Sequence, residues 1–374
     1  MVRLTLTQFR NYPALTWCPG GRIAVVTGPN GSGKTNLLEA ISLLAPGRGL
    51  RGARNADFPR QGGGLAGPGA WGVNGRLLLD GAEREIGTGS APEGAGDRRV
   101  FRLDDRAPRN QAEIAAACAC IWLTPQMDRL FQEGASGRRR FLDRLVWALE
   151  PGHAREVSAY ETATAGRNRL LARGGAEAGW LAGLEDSMAR HAVAVAAARA
   201  GLVARLNAAL ADGAAGGFPP ARLVLYDAIA DRLAAGPAIE AEDWLRAALA
   251  ANRAADARAG GAALGAHRAD MMLEDAATGL SAALASTGQQ KALLIGAVLG
   301  HAALIAAERK AAPLLLLDEP AVHLDAGRRD LLWAALRAAE AQVFVTGTDA
   351  GPLSALRGAA GFWRTGGDQV VAEP

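Results

Sequence analysis

The chain opens on alternation. Val2, Leu4 and Leu6 fall on one face of an extended segment, the pattern of a half-buried strand. Residues 22–27 form a second expected strand, apolar at Ile23, Ala24, Val25 and Val26, that runs straight into a glycine-rich loop. The period then turns helical, with Leu37, Leu38, Ile41 and Leu44 on one face. From 46 to about 121 turns and short strands dominate. Leu77, Leu78 and Leu79 precede a hairpin signal at Asp80-Gly81, and 100–103 precede a turn at Asp104-Asp105. Residues 121–123 form a strand that ends at Pro125, and the region as a whole reads as a mostly antiparallel layer. Residues 136–207 are helical but broken at Gly174-Gly175, so several packed helices are expected rather than one rod. A strand at 223–226, a helix around 244–257 and a strand over 262–273 follow. The last third alternates helix and strand, as a largely parallel sheet requires. A helix from Gly288 carries Leu293, Leu294, Val298, Leu304 and Ile305; the unbroken apolar strand Leu314–Leu317 suits burial on both faces; another helix and a strand at 343–345 complete the set.

Composition narrows the class. With 49% hydrophobic and 21% charged residues the chain can bury a large core, which excludes global disorder. Glycine is high, 47 of 374, and clusters between Gly47 and Gly96, which points to loops there. A net charge of +3 does not demand a polyanion, although the preference for Arg over Lys permits one. Three cysteines exclude a disulfide framework, and Cys118 and Cys120 read as core thiols. The N-terminal residues lack a signal-peptide pattern, and the longest apolar run, 292–307, contains His301 and is short for a membrane span. A cytoplasmic protein with no membrane association is therefore expected.

The chemistry lies in three places. Gly28-Pro29-Asn30-Gly31-Ser32-Gly33-Lys34-Thr35 matches GxxxxGK[ST] between an expected strand and an expected helix. The glycines let successive N–H groups turn onto phosphate oxygens; Lys34 would reach the terminal phosphates, and the Thr35 hydroxyl would ligate Mg²⁺. A chance glycine-rich turn would lack that context. Leu314–Leu317 ends in Asp318-Glu319-Pro320, and a parallel sheet puts this turn on the same edge as the phosphate loop. Asp318 is thus placed to hold hydrated Mg²⁺ and Glu319 to polarise the attacking water, where the plainer reading is a surface turn with two acids. Third, Ser286-Thr287-Gly288-Gln289-Gln290-Lys291 stands at a helix start, where a hydroxyl and glycine amides form a second anion site. In isolation this is equally an ordinary N-cap. The order of phosphate loop, this segment, the Asp318-Glu319 turn and then Leu324-Asp325 favours a tip that closes on a nucleotide held by another copy.

That order is the fingerprint of ABC-type ATPases, and further landmarks resemble one branch, the RecF family of bacterial recombination-repair ATPases. They are Phe9-Arg10-Asn11-Tyr12, the run Arg138-Arg139-Arg140-Phe141-Leu142-Asp143, and Gly265-Ala266-His267-Arg268-Ala269-Asp270. The resemblance implies an α/β fold: an ABC-type P-loop ATPase head (mixed sheet with flanking helices plus an antiparallel β layer) over 1–130 and 262–374, with a mostly helical second domain inserted at 131–261. It implies an ATP- and Mg-dependent homodimer that binds DNA without sequence preference. Hydrolysis would be slow and DNA-stimulated, and the protein would help RecO and RecR load RecA at gaps in the SOS response. Gln126 would be the lid glutamine sensing Mg²⁺ and water. Ser286, Gly288 and Gln289 would meet the partner's nucleotide, Asp325 the dimer seam, and Arg10 and Asn11 the vicinity of the nucleotide. The chain departs from the family at three points: Gln126 stands where an acid is usual, Ala266 replaces a proline, and Thr346 or Thr348 stands in for the switch histidine.

Arg48, Arg51, Arg54 and Arg60 in one loop, and Arg167, Arg169 and Arg173 on the helical arm, are either solvated surface or a phosphate-binding stripe. With 5% aromatic residues, stacking on single-stranded bases is disfavoured against duplex or gapped DNA held by charge and shape. His153, His191 and His323 read as surface or packing residues, and Trp147, Trp180, Trp244 and Trp333 as core. The main alternative, an ABC transporter subunit, shares every ATP motif, but the stretch from Lys34 to Asp318 is far longer than a compact transport head needs. An SMC-like tether would need long unbroken helices and a CxxC hook.

Overall fold

Ile23–Thr27 and Leu314–Leu317 carry apolar side chains at successive positions, so neither face of these strands can meet water, and every residue in them is buried. In the computed structural model, which describes residues 1–60, 70–79, 81–91, 98–174 and 178–373, both lie inside one six-stranded sheet. In chain order the first elements are β1 (Arg3–Phe9), β2 (Tyr12–Trp17), β3 (Ile23–Thr27), α1 (Lys34–Ser42), β4 (Gly72–Leu79), β5 (Ala82–Ser90), β6 (Arg99–Leu103), α2 (Gln111–Ala117) and β7 (Cys120–Leu123). Next come α3 (Ala135–Leu149), α4 (His153–Ala172), α5 (Ala178–Ala211), β8 (Ala221–Tyr226), α6 (Ala228–Ala235), α7 (Ala238–Ala251), α8 (Arg253–Ala259) and β9 (Asp270–Asp275). The remaining elements are α9 (Thr287–Arg309), β10 (Leu314–Leu317), α10 (Ala326–Ala338), β11 (Gln342–Gly347), β12 (Gly361–Gly366) and β13 (Gln369–Glu373).

The chain divides into two compact units, Met1–Asp128 with Ala209–Pro220 and Ala285–Pro374, and Arg129–Ala208 with Ala221–Leu284. In the first, the six strands run in the order β13-β12-β3-β11-β10-β7, parallel from β12 to β7. Leu317 registers with both Leu123 and Val345, and Gly347 with Thr27, so the carboxyl ends of four strands share one edge. A second sheet, β2-β1-β4-β5-β6, is antiparallel throughout, which is the expected layer. Leu4 and Leu6 from that layer, Leu37, Leu38 and Ile41 from α1, and Leu316 and Phe344 from the parallel strands meet in one core. Helices α5 and α9 are both long and apolar enough to cross a membrane by length and composition alone. In α9, 89% of the most apolar stretch is buried inside the protein, the property of a core helix. The corresponding share in α5 is 39%, and its Met188, Ala192, Val195 and Ala196 belong to the core of the second unit.

That second unit is helical around the pair β8–β9. Its most buried polar feature is Arg167, which is fully enclosed and donates to Glu185 at 2.9 Å, Asp256 at 2.8 Å and the Leu249 carbonyl at 2.7 Å. A second network joins Arg199 to both oxygens of Asp143 at 2.8 Å, with His153 on the same carboxylate at 2.9 Å. Burial pushes the Asp143 carboxyl up, but His153 and Arg199 outweigh it and hold the group below the usual carboxylate range.

Several expectations need correction. Val2 is 42% exposed, because the inward face of β1 begins at Leu4. The strand expected over 262–273 is confined to β9; before it the chain turns at Gly265 (φ 134°), where a Cβ would lie 2.1 Å from the Tyr160 hydroxyl. The helix expected around 244–257 is two helices divided at Asn252. Trp180, expected in the core, is 63% exposed, and Arg167 cannot belong to a DNA-facing stripe. Asp80 and Gly175, from the hairpin and break signals, lie outside the described residues; Leu79 pairs with Ala82 across the first. Replacing Arg167 with methionine would leave Glu185 and Asp256 as buried carboxylates short of a partner. Arg167→Met is expected to lower unfolding stability by about 3–5 kcal/mol, read as a shifted denaturant midpoint; a midpoint like that of the parent would show the network to be energetically idle.

Candidate nucleotide site

The phosphate loop leaves β3 and enters α1 through three glycines with positive φ, Gly28, Gly31 and Gly33. Two of them are pinned by neighbours. A Cβ on Gly28 would lie 2.5 Å from Thr365 Oγ1, and one on Gly33 would lie 2.5 Å from Asn11 Nδ2 and 2.7 Å from the Tyr12 hydroxyl. The cradle therefore tolerates only glycine at both points. Lys34 is 5% exposed and folds over the loop, its Nζ donating to the carbonyls of Gly28 at 2.6 Å and Pro29 at 3.1 Å. Ser32 Oγ lies 2.6 Å from Thr365 Oγ1, which also donates to the Thr27 carbonyl at 3.1 Å, so β12 braces the loop from the side.

On the same edge, Thr35 Oγ1 donates to the Asp318 carboxylate at 3.0 Å, and Thr346 Oγ1 donates to Asp318 Oδ1 at 2.7 Å. The Thr346 hydroxyl in turn accepts from the Glu319 amide at 3.0 Å. One hydroxyl on β11 thus fixes both the Asp318 side chain and the Glu319 backbone. Glu319 sits at φ 49°, an uncommon conformation for a side chain of its size and one that this bond helps to hold. Gln126 emerges in the turn Pro125–Arg129 just beyond β7; the Asp318 amide donates to the Leu123 carbonyl at 2.9 Å, which puts that turn on the same edge. Among the described residues no group of three or more His, Cys, Asp or Glu could hold a metal. The Thr35 hydroxyl and Asp318 carboxylate are hard oxygen donors in a sparse set, which fits Mg²⁺, an ion that keeps water and phosphate as its remaining ligands.

A second set of residues forms the tip of α9. Ser286 caps the helix: its Oγ accepts from the Gln289 amide at 3.4 Å, while the Ser286 amide donates to Gln289 Oε1 at 3.0 Å. Asp325 caps α10, accepting from the Arg328 amide at 2.8 Å. A Cβ on Gly288 would sit 3.2 Å from Arg328 Nη1 and 3.3 Å from the His323 carbonyl, so the two caps are packed side by side. Ser286, Gln289 and Asp325 are all exposed.

Arg10 and Asn11 separate. Asn11 stands against the loop, donating to the Gly367 carbonyl at 2.8 Å and accepting from Asn36 at 2.7 Å. Arg10 donates to both oxygens of the fully buried Glu39 on α1 at 2.8 and 3.0 Å and to the Asp57 carbonyl at 2.6 Å. In the Arg138 run, Arg138 binds Asp270 at 2.7 Å and Arg139 the Ala269 carbonyl at 2.9 Å, so both brace the second unit, whereas Arg140 is exposed. His267 and Tyr160 share a hydrogen bond of 2.5 Å, and burial holds His267 below the usual histidine range.

Two features were not readable from the sequence: the role of Thr365, and the buried pairing of Lys291, although that residue closes the Ser286–Lys291 motif. Thr365 lies in a strand with no motif. Lys291 is 1% exposed and pairs with Asp128 at 3.3 Å; burial lowers its basicity, while Asp128 and then Glu319 pull the other way. Thr346→Val would keep the side-chain shape while stripping two hydrogen bonds from buried groups. It should cost about 1–3 kcal/mol of stability, with Thr346→Ser close to the parent; equal stability of parent and Val variants would show that the hydroxyl does not hold the edge together.

Comparison with known proteins adds the following. Residues 23–92 match a family model described as AAA domain, putative AbiEii toxin, Type IV TA system. Over 96% of its length this chain is 46% identical to a DNA replication and repair protein RecF of Mesorhizobium japonicum, covering 94% of that protein. It is 44% identical to the protein of the same name from Agrobacterium fabrum, across 99% of this chain and 98% of the other. Among solved structures, the recombination mediator protein RecF-ATPrS in the RecFOR pathway superposes with a TM-score of 0.85 at 19% identity, covering 100% of this chain and 98% of the other. An SMC head bound to the C-terminal winged-helix domain of ScpA superposes with a TM-score of 0.54 at 15% identity, over 100% and 96% of the two chains.

Proposed function

Because this chain belongs to the RecF family of DNA replication and repair proteins, with the fold of an ABC-type ATPase head, we propose that it is an ATP-gated DNA clamp. Two copies close on two ATP molecules, hold duplex or gapped DNA without reading its sequence, and part after slow hydrolysis. One observation carries this reading. Lys34 lies folded over the phosphate loop and Thr35 is bonded to Asp318 within one chain, while the helix tip at Ser286 is exposed, with the half-buried Gly288 packed beside the Asp325 cap. A second copy is the natural user of that tip.

The division of labour follows from chemistry. Lys34 and the loop amides hold the β- and γ-phosphates. Thr35, Asp318 and Gln126 would hold Mg²⁺ when it is bound. Mg²⁺ supplies charge neutralisation at the phosphates. Glu319, fixed by Thr346, orients the attacking water and accepts its proton; Thr346 thereby takes the place of the switch histidine. Ser286, Gly288 and Gln289 contact the γ-phosphate of the partner's nucleotide, and Asp325 lies in the seam. Weak, DNA-stimulated turnover suits a binding switch in which DNA favours the closed dimer. By family, RecO and RecR are the proposed partners, loading of RecA the outcome, and the cytoplasm the setting.

The test compares ATP-dependent dimerisation and DNA binding across variants, by light scattering and gel shift. Lys34→Ala should lose both. Glu319→Gln should slow hydrolysis by about a hundredfold or more and trap a DNA-bound dimer. Ser286→Arg should bind ATP as a monomer. Free dimerisation of Ser286→Arg would move the seam elsewhere, and rapid turnover by Glu319→Gln would remove Glu319 as the base.

A further inference from the structure

At the end of the parallel strands opposite the phosphate loop the surface is concave. A groove of about 840 Å³ opens where β10 and β11 begin and where the chain enters β3 and β7, lined at those points by Leu314, Gln342, Arg22 and Ala119. Its walls include Val2 and Leu78, which are 42% and 59% exposed. Single exposed apolar side chains are ordinary, but here two large ones face one concavity whose other walls include Leu77, Leu79, Leu314 and several alanines. Among the described residues, the charged side chains that line it are Arg22, Arg309 and Lys310 against one acid, Glu340. Arg22 is anchored by the carbonyls of Ala339 and Arg337, and Arg309 by those of Ala115 and Ala116, so each guanidinium is fixed in place. Lys310 is exposed at the end of α9, in a left-handed conformation (φ 51°).

We infer that this groove is a docking site for a short acidic peptide segment of a partner protein, its apolar side chains seated against Val2 and Leu78 and its carboxylates facing Lys310 and Arg22. The apolar walls favour a peptide over nucleic acid, whose phosphate backbone offers little for them to cover, and the cationic excess selects acidic over neutral segments. The site is separate from the nucleotide machinery, lying at the other end of the strands. It is linked to that machinery by α9, which runs from Ser286 at the exposed tip to Lys310 at the groove.

Cys18 supplies a reporter. It lines the groove and is exposed, whereas Cys118 and Cys120 are buried, with burial pushing the Cys118 thiol up to about 12. The experiment uses the full chain and a fluorescent peptide of about ten residues alternating aspartate and leucine, with an asparagine–leucine peptide as control. The acidic peptide should bind about tenfold more tightly than the control, weaken several-fold between about 50 and about 300 mM salt, and slow maleimide labelling of Cys18. Leu78→Asp and Lys310→Asn should each lower its affinity about tenfold; asparagine tolerates the left-handed backbone, so the second change removes charge without strain. Thermal melts of both variants should match the parent. Equal binding of the two peptides, unchanged Cys18 labelling at saturation, or undiminished binding by both variants would each overturn the proposal. So would a duplex oligonucleotide that displaces the peptide and protects Cys18, by making the groove a nucleic-acid surface.

Discussion

The site turns on one nearly buried carboxylate. Asp318 is 5% exposed and lies between two threonine hydroxyls, one from the helix after the phosphate loop and one from the neighbouring strand. An ionised group so placed is costly unless hydrogen bonds satisfy it. The bonds from Thr35 and Thr346 meet that need and in doing so join three separate segments of chain. Through Thr346 the same arrangement reaches the Glu319 amide and fixes the backbone of the proposed base. The carboxylate that suits a metal is thus also the knot that assembles the edge.

The strands make that knot possible. Parallel pairing of β3, β11, β10 and β7 brings their carboxyl ends level, and their apolar side chains leave no other arrangement that shields both faces. Residues far apart in sequence then meet over a few ångströms without long side chains reaching for one another. Rigidity comes from outside the motifs as well. Thr365 on β12 and Asn11 after β1 press on the two glycines that shape the loop.

Much of this was legible in the sequence because it rests on local patterns. The apolar run Leu314–Leu317 and the strand before Gly28 announced the parallel core, and the motif positions of Lys34, Thr35, Asp318 and Glu319 announced that they would share its carboxyl edge. Thr346 and Thr348 were legible as two threonines at the end of the last core strand; only tertiary pairing shows that Thr346 bonds Asp318 while Thr348 bonds Asp349. What stayed hidden depends on distant partners. Arg167 looks like any surface arginine until α5 and α8 bring Glu185 and Asp256 to it. Likewise Gly265 reads as a strand residue until Tyr160 is seen to occupy the space of its Cβ. The strands β12 and β13 carry no apolar alternation strong enough to announce themselves, yet Thr365 braces the loop from one of them.

The sharpest test of the account asks whether Asp318 couples nucleotide to metal. Calorimetric titration of the wild-type chain and of Asp318→Asn with a non-hydrolysable ATP analogue, with and without Mg²⁺, measures that coupling directly. The arrangement predicts that Mg²⁺ tightens binding to the wild type and has little effect on Asp318→Asn. An equal gain in both proteins would place the metal elsewhere and contradict the role given to this carboxylate.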